Sequence, residues 1–403
     1  MRLRLLEGAD SASHKSLMVE AFFRGERPAD PQAPTDGWSR DLTLSRTIGA
    51  VQNSGRVVAA VTVHPLRLSW GERGLACGGV ADVACSADHR GTGLAGRLLT
   101  YALEEMRERG QILSGLFPFA YAFYRRHGWE WVGENRRTTV PLRLLPASRQ
   151  ARCVRLYDGL AGKERAQEVY GAFAARYRGM VLRDECEHPD FWARALDHNG
   201  GRTNYVQVYE SPETGRAEGF LNMVFPASGD RAWITNFMAT TPRAYDGLIG
   251  LLHGYAAGGG IESIEYPAPI DDPMPLHAMH HELNVRLTPL FMGRVVDAVA
   301  AIQAIDAPAS ASGSLILGIR DETCQWNDGA FQIEIDGGKA RAERSSADAD
   351  VSMDIQALAQ AFWGSPSLDR LRWAGRVDVR DEDAYALLSK LLPSTTCFLA
   401  DHF

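Results

Sequence analysis

Residues 78–110, GGVADVACSADHRGTGLAGRLLTYALEEMRERG, decide how this chain reads. A β-rich run closes at Val83, Ala84 and Cys85. After a polar turn, Arg90, Gly91, Thr92, Gly93, Leu94, Ala95 and Gly96 open a long amphipathic helix. Leu94, Leu98, Leu99, Ala102, Leu103 and Met106 fall on one face at helical spacing, and Gly110 stands where a C-cap glycine belongs. A strand, a glycine-rich turn and a helix start together form an anion site. Backbone N–H groups point outward, glycines permit close approach, and the helix dipole favours negative charge. Such a turn predicts a pyrophosphate ligand.

A Walker loop needs a Lys-Ser/Thr pair after its last glycine, and none follows. Gly91, Gly93 and Gly96 match the dinucleotide spacing only formally. Arg90, Gly93 and Ala95 fit better the R-x-x-G-x-G/A turn of the GCN5-related N-acetyltransferases (GNAT), where it holds the pyrophosphate of coenzyme A. A second stretch, residues 116–131 (LFPFAYAFYRRHGWEW), resembles the F-Y-x-x-x-G-aromatic segment that closes many domains of that superfamily. Tyr124 takes the place of a tyrosine that reaches the cofactor sulfur, with Gly128 and Trp129 completing the pattern. Phe117, Phe119, Tyr121, Phe123 and Trp131 surround it, so only its place in the motif separates Tyr124 from core packing.

The chain ends Cys397-Phe398-Leu399-Ala400-Asp401-His402-Phe403, an apolar finish. Chain ends are usually frayed and polar unless tied down, so the α-carboxylate is expected to be docked at a specific place.

Together these features resemble the Eis (enhanced intracellular survival) family of acetyltransferases over the whole chain. The resemblance implies a mixed α/β (α+β) fold: a catalytic GNAT domain over 1–147, a degenerate GNAT-like domain over 148–288, and a sterol-carrier-protein-like domain over 289–403 that ends in the docked tail. It also implies a homohexamer.

Length and composition agree. A chain of 403 residues exceeds one ordinary core. With 45% hydrophobic and 23% charged residues it reads as a soluble globular protein. A net charge of −7 argues against nucleic-acid binding and suits a small cationic amine as acceptor. Glu7 and Asp10 interrupt any secretory signal, and no apolar run approaches 18 residues, so a cytoplasmic protein with no membrane span is expected. The six cysteines are dispersed without a C-x-x-C pair, which predicts reduced thiols and no zinc site. His277, His280, His281 and Glu282 match no metal spacing, and no metal is expected.

Along the chain, residues 13–23 read as a helix. Residues 57–63 and 66–70 read as two strands, and 129–132 as the aromatic strand. From 150 to 285 the theme repeats: strands at 206–209, 219–225 and 233–238 precede a helix towards Tyr255, without the glycine turn. Without those glycines an N–H cradle is not expected. Residues 292–297 are read as opening a helix, followed by a hairpin at 315–319 and 331–335 and a helix at 357–363. This third unit suggests either an apolar groove for lipid or a scaffold for the tail.

The chemistry that the resemblance implies is acetyl transfer from acetyl-CoA to a primary amine of an aminoglycoside or other polyamine-like acceptor. Backbone N–H groups at Val83, Ala84 and Cys85 would polarise the thioester carbonyl. Residues 90–96 would hold the pyrophosphate, and Phe119 and Ala120 would flank the pantetheine arm. Tyr124 would be the general acid. A thiol near ~8.5 and a phenol near ~10 leave a gap of ~2 kcal/mol, which a close Arg125 or Arg126 would shrink. The Phe403 α-carboxylate would be the general base, ahead of Asp82, whose side chain an alternating strand turns to the acceptor side. An unperturbed carboxyl near ~3.5 is a weak base, and burial would strengthen it. Trp38 and Asp401, with Glu26, Asp30 and Asp36, are candidates for the acceptor pocket. Two competing functions are weighed: protein lysine acetylation, which needs an open peptide groove, and lipid or ligand binding with a vestigial acetyltransferase, which the intact turn opposes.

Overall fold

A computed structural model describes residues 1–22, 44–186, 190–196, 204–225, 229–258, 260–289 and 291–403. The strands of these residues form three sheets. The first is built on two long antiparallel strands, β3 (Val57–Trp70) and β4 (Arg73–Cys85), which follow β1 (Arg2–Leu5) and β2 (Thr47–Val51). Beyond β4 lie β5 (Leu113–Leu116), a strand over Met292–Val295, and β6 (Glu130–Trp131). Gly71, at φ 67°, opens the tight turn that pairs Trp70 with Arg73.

The sequence predicts two short strands separated at Pro65, whereas β3 is continuous. Its pairing with β2 ends at Thr62, and Arg178–Val181 pairs the same side again only from Leu68. Among the described residues Pro65 therefore lies in a gap without a partner on that side, where its missing N–H breaks no ladder bond.

The Leu94–Glu108 helix covers the sheet with the predicted face. Leu94, Leu98, Leu99, Ala102, Leu103 and Met106 are all buried, and each leucine contributes about 1.5–3 kcal/mol. Gly110 follows with φ 69° and ends the helix.

The second sheet runs Asn284–Thr288, Asn135–Pro141, Ser263–Ala268, Arg231–Ala239, Ala217–Val224, Asn204–Glu210, Val154–Asp158. The third runs Lys339–Ser345, Gly329–Asp336, Gly313–Arg320, Val351–Asp354, Val377–Val379. Strands cross the sequence boundaries between these units. Asn135–Pro141 leaves the first unit for the second sheet, and Met292–Val295 returns to the first. The helix read from Met292 is thus a strand; Asp297 then caps a helix over Ala298–Ala304 by accepting from the Ala300 N–H. Four-residue Met-Gly-Arg-Val has no period of its own, and its pairing with Leu113–Leu116 is long-range.

The third unit is locked to the first sheet by Trp363, which closes the Ile355–Trp363 helix. Its indole packs edge-on against Trp70 and Phe291, over Gly293, where a Cβ would come within 2.7 Å of it.

Candidate active site

Between β4 and β5 the first sheet opens. Their parallel pairing runs from Cys77 with Leu113 to Val80 with Leu116 and stops, while β4 continues to Cys85. Within this extension the β3 ladder slips: Ala60 faces Ala84 and Thr62 faces Ala81, so β4 carries one residue more than its partner. Asp82 takes φ 52°, the left-handed region that a non-glycine residue rarely adopts. This bulge interrupts the alternation from which Asp82 is expected to face the acceptor side, so orientation cannot be counted by period there. Burial raises the Asp82 pKa, partly offset by a hydrogen bond with Thr62 and the charge of Arg194.

The glycine turn follows directly. Gly91 and Gly93 both sit at φ 77°, and a Cβ on either would meet nothing within 4 Å. Gly93 is the residue before the helix and offers no side-chain cap, which leaves the first N–H groups of the helix outward. The loop is pinned from behind. Asp88 pairs with Arg56 at 2.8 Å and accepts from Ser86 at 2.7 Å, and Glu20 accepts from the Ala87 N–H at 2.7 Å. The Arg56 guanidinium, more than His89 or Ser86, holds the Asp88 carboxyl well below the usual range. Arg90 is exposed and donates to the Cys85 carbonyl at 3.2 Å.

Residues 117–128 form one wall. Phe119 is 70% exposed, stacks on Phe123 and meets the Tyr124 ring edge-on at 5.2 Å. Tyr124 lies in the short Tyr121–Arg125 helix and is only 2% exposed; burial raises its pKa. The two arginines expected to lower it are engaged elsewhere: Arg125 pairs with Glu130 at 2.7 Å, and Arg126 donates to the Ala122 carbonyl. The ring of His127 lies on the helix start, where a Cβ on Gly96 would fall 2.8 Å from it. Gly128 has φ 87°, and its missing Cβ leaves room for the buried guanidinium of Arg294, which pairs with Asp321 at 2.7 Å.

The tail reaches the same place. Cys397 bridges Arg178, and Gly133 and Gly179 clear its path, since a Cβ on either would press on Cys397. Asp401, expected to meet an acceptor amine, is 7% exposed and bound on both oxygens by Arg183, with a further bond from Tyr170. It anchors the tail instead. Beyond it the His402 ring stacks on Phe117 at 4.0 Å, and the Phe403 ring lies 5.5 Å from Phe117 and against Gly79 of β4. Phe117 thus holds the tail while Phe119, two residues on, touches Tyr124.

The acetyltransferase (GNAT) domain family matches residues 2–132, and the sterol carrier protein domain family matches residues 296–400. This chain is an N-acetyltransferase of the GNAT superfamily. The enzyme is 27% identical, over 97% of its length and 95% of the relative's, to a Streptomyces avermitilis protein named as an N-acetyltransferase. In fold it is similar to a GCN5-related N-acetyltransferase from Anabaena variabilis, at TM-score 0.86, 18% identity and full coverage of both chains. It is also similar to Eis1 from Mycobacterium abscessus, at TM-score 0.79, 22% identity and full coverage of both.

GNAT acetyltransferases use acetyl-CoA as co-substrate. The open glycines of the turn and the parting of β4 from β5 fit such a ligand. The second sheet parts in the same way, where Arg231–Ala239 pairs with Ser263–Ala268 only as far as Trp233. There Phe237 stacks on Tyr245 at 5.1 Å and meets Tyr266, and both phenols donate to Asp272. Aromatic packing lies beside the strand end that corresponds to the open end of β4 in the first sheet.

Other residues fall outside this arrangement. Trp38, Glu26, Asp30 and Asp36 lie outside the described residues. His280, His281 and Glu282 bring ligand atoms within 4.8 Å of one another, but the Glu282 carboxylate is paired with Arg143. In the third unit an open cleft of about 500 Å³ includes Arg320, Asp354, Arg376 and Asp378 in its lining, a polar wall unsuited to an acyl chain. Among the described residues no helix is long and apolar enough to cross a membrane. Sequence reasoning missed Arg183 and Arg194. The apolar tail was the available signal that something must hold it, but nothing local pointed to these two arginines.

Proposed function

We propose that the enzyme transfers an acetyl group from acetyl-CoA to primary amines of aminoglycosides or other polyamine-like acceptors, with Tyr124 as general acid and the Phe403 α-carboxylate as general base. The observation that carries this reading is the seating of the chain terminus against β4 and Phe117, at the strand that opens beside the glycine turn.

Acetyl-CoA supplies an acetyl thioester. The glycine turn and the N–H groups of residues 94–96 receive the pyrophosphate, Arg90 adds charge, and Phe119 and Ala120 flank the arm. The bulged end of β4, residues 83–85, offers the N–H groups on its open side to the developing oxyanion. The Phe403 carboxylate takes one proton from the bound ammonium, which frees the lone pair for attack. The Tyr124 hydroxyl protonates the leaving sulfur and recovers a proton from the nitrogen as it becomes an amide. The C–N bond forms as the C–S bond breaks. Burial makes Tyr124 a weaker acid than a free phenol. The same dry surroundings disfavour a bare thiolate, which offsets that weakening.

Turnover of two variants tests the assignment of the base. Appending glycine after Phe403 is expected to abolish CoA release, while Asp82→Ala keeps a measurable fraction. The reverse ranking transfers the role to Asp82. The Eis-type reading brings with it a cytoplasmic homohexamer, an assembly that the acidic chain does not oppose and that sedimentation would test.

A further inference from the structure

The general base proposed above lies at the end of a chain, the place where side-chain and backbone freedom is normally greatest. A proton acceptor that wanders by an ångström loses most of its value. Two arginines from the second unit hold Asp401 and His402, the residues just before Phe403. Arg183 is 3% exposed and binds both carboxylate oxygens of Asp401, at 2.8 Å from Nη2. Its guanidinium lies 4.2 Å from the ring centroid of Tyr170 and 4.8 Å from that of Trp192, and it also donates to Asn236 at 2.8 Å. Tyr170 completes the grip by donating to Asp401 at 3.0 Å. Arg194, on the Phe191–Leu196 helix, donates to the His402 carbonyl at 3.2 Å, and its charge also acts on Asp82 and Asp401.

A buried ion pair is a poor device for stability alone, because desolvation of both charges offsets their attraction. Its advantage is directional: a bidentate fork fixes the plane of its partner. Asp401 is held in position and direction, the next carbonyl is held again, and the ring of Phe403 is stopped by Gly79.

We propose that Arg183 and Arg194 are positioning residues that set the Phe403 carboxylate for proton transfer, so that the second unit serves the reaction by holding the base. This rests on the reading of Phe403 as the base. The side chains touch neither acceptor nor coenzyme in this account and act through the tail.

The test compares Arg183→Met, Arg183→Lys, Arg194→Gln and the chain with glycine appended after Phe403, measuring kcat and the acetyl-CoA KM with saturating amine. Arg183→Met and Arg194→Gln are each expected to lower kcat by about tenfold or more while the acetyl-CoA KM stays within about twofold. Arg183→Lys recovers part of that loss, and Arg183→Met adds nothing further in the extended chain. If the extended chain is inactive but both arginine variants keep wild-type kcat, the positioning role is overturned and the base survives. If the extended chain keeps full kcat, the base reading falls and this proposal with it. Should Arg183→Met fail to fold, Arg194→Gln decides, because its side chain is only half-buried and bonds a main-chain carbonyl.

Discussion

Phe403 lays its ring on Gly79: a Cβ on that glycine would fall 2.8 Å from two ring carbons. Residues 324 positions apart in sequence therefore meet on β4 just before it separates from β5, and the glycine is the seat. Gly79→Ala is expected to displace the terminal ring and lower kcat by about tenfold, with acetyl-CoA affinity retained. Because Leu66 would also be pressed, at 2.6 Å, a thermal melt must accompany the kinetics. Unchanged kcat in a folded variant would detach the tail from catalysis.

The turn gives a prediction about affinity. Gly93 has φ 77° and open space around its missing Cβ. Gly93→Asp puts a strained residue and a negative charge where the pyrophosphate is received, and calorimetry should find no acetyl-CoA binding. The left-handed conformation alone costs about 1–2 kcal/mol, so the charge must carry the rest. Gly93→Ala should accordingly bind more weakly than the parent but detectably. Equal affinity in all three proteins would remove the turn from the cofactor site.

Tyr124→Phe keeps the ring that packs against Phe119, Phe123 and Trp129 and removes only the hydroxyl. A general acid is worth about 10²–10⁴ in rate, so kcat should fall within that range while the acetyl-CoA Kd barely moves. Full activity would return Tyr124 to a packing role.

The turn and its helix were legible because both signals are local: glycine spacing and a 3.6-residue period need no distant partner. The docked tail was legible as an anomaly, an apolar end where solvated residues are usual. Its holders were not. Arg183 stands 218 positions before Asp401, in a stretch that reads as an ordinary charged segment. The strand over Met292–Val295 was hidden for the same reason: four residues carry no period, and their pairing with β5 is decided by the finished sheet. At Asp82 the period gives no answer, since one extra residue in β4 breaks the alternation count.

Gly128 bears on stability. Alanine there would meet φ 87° and place a Cβ 1.2 Å from Arg294 Nη1. The expected loss combines about 1–2 kcal/mol of backbone strain with much of the roughly 3–5 kcal/mol that follows from breaking a buried ion pair. Urea denaturation of Gly128→Ala checks this, and a midpoint near that of the parent would mean that Arg294 moves aside freely.

Acid sensitivity follows from His14, buried on the Ser11–Phe22 helix and pushed down to about 4 by that burial, against the opposing pull of Asp10. Its unfolded form titrates near ~6.5, so the unfolded chain binds the proton first. The contribution is complete above pH ~6.5 and is lost as pH falls towards 4, by at most about 3 kcal/mol. Denaturation midpoints at pH 7 and pH 4.5 should converge for His14→Leu more than for the parent. An identical pH dependence in both would assign the acid loss to other groups.

The most direct measurement is CoA release by the purified enzyme supplied with acetyl-CoA and a panel of aminoglycosides, polyamines and lysine peptides. Rapid turnover on the aminoglycosides or polyamines, with little on the peptides, is the predicted result. Tight acetyl-CoA binding with turnover only on peptides, or on none of the panel, would contradict the assigned acceptor class.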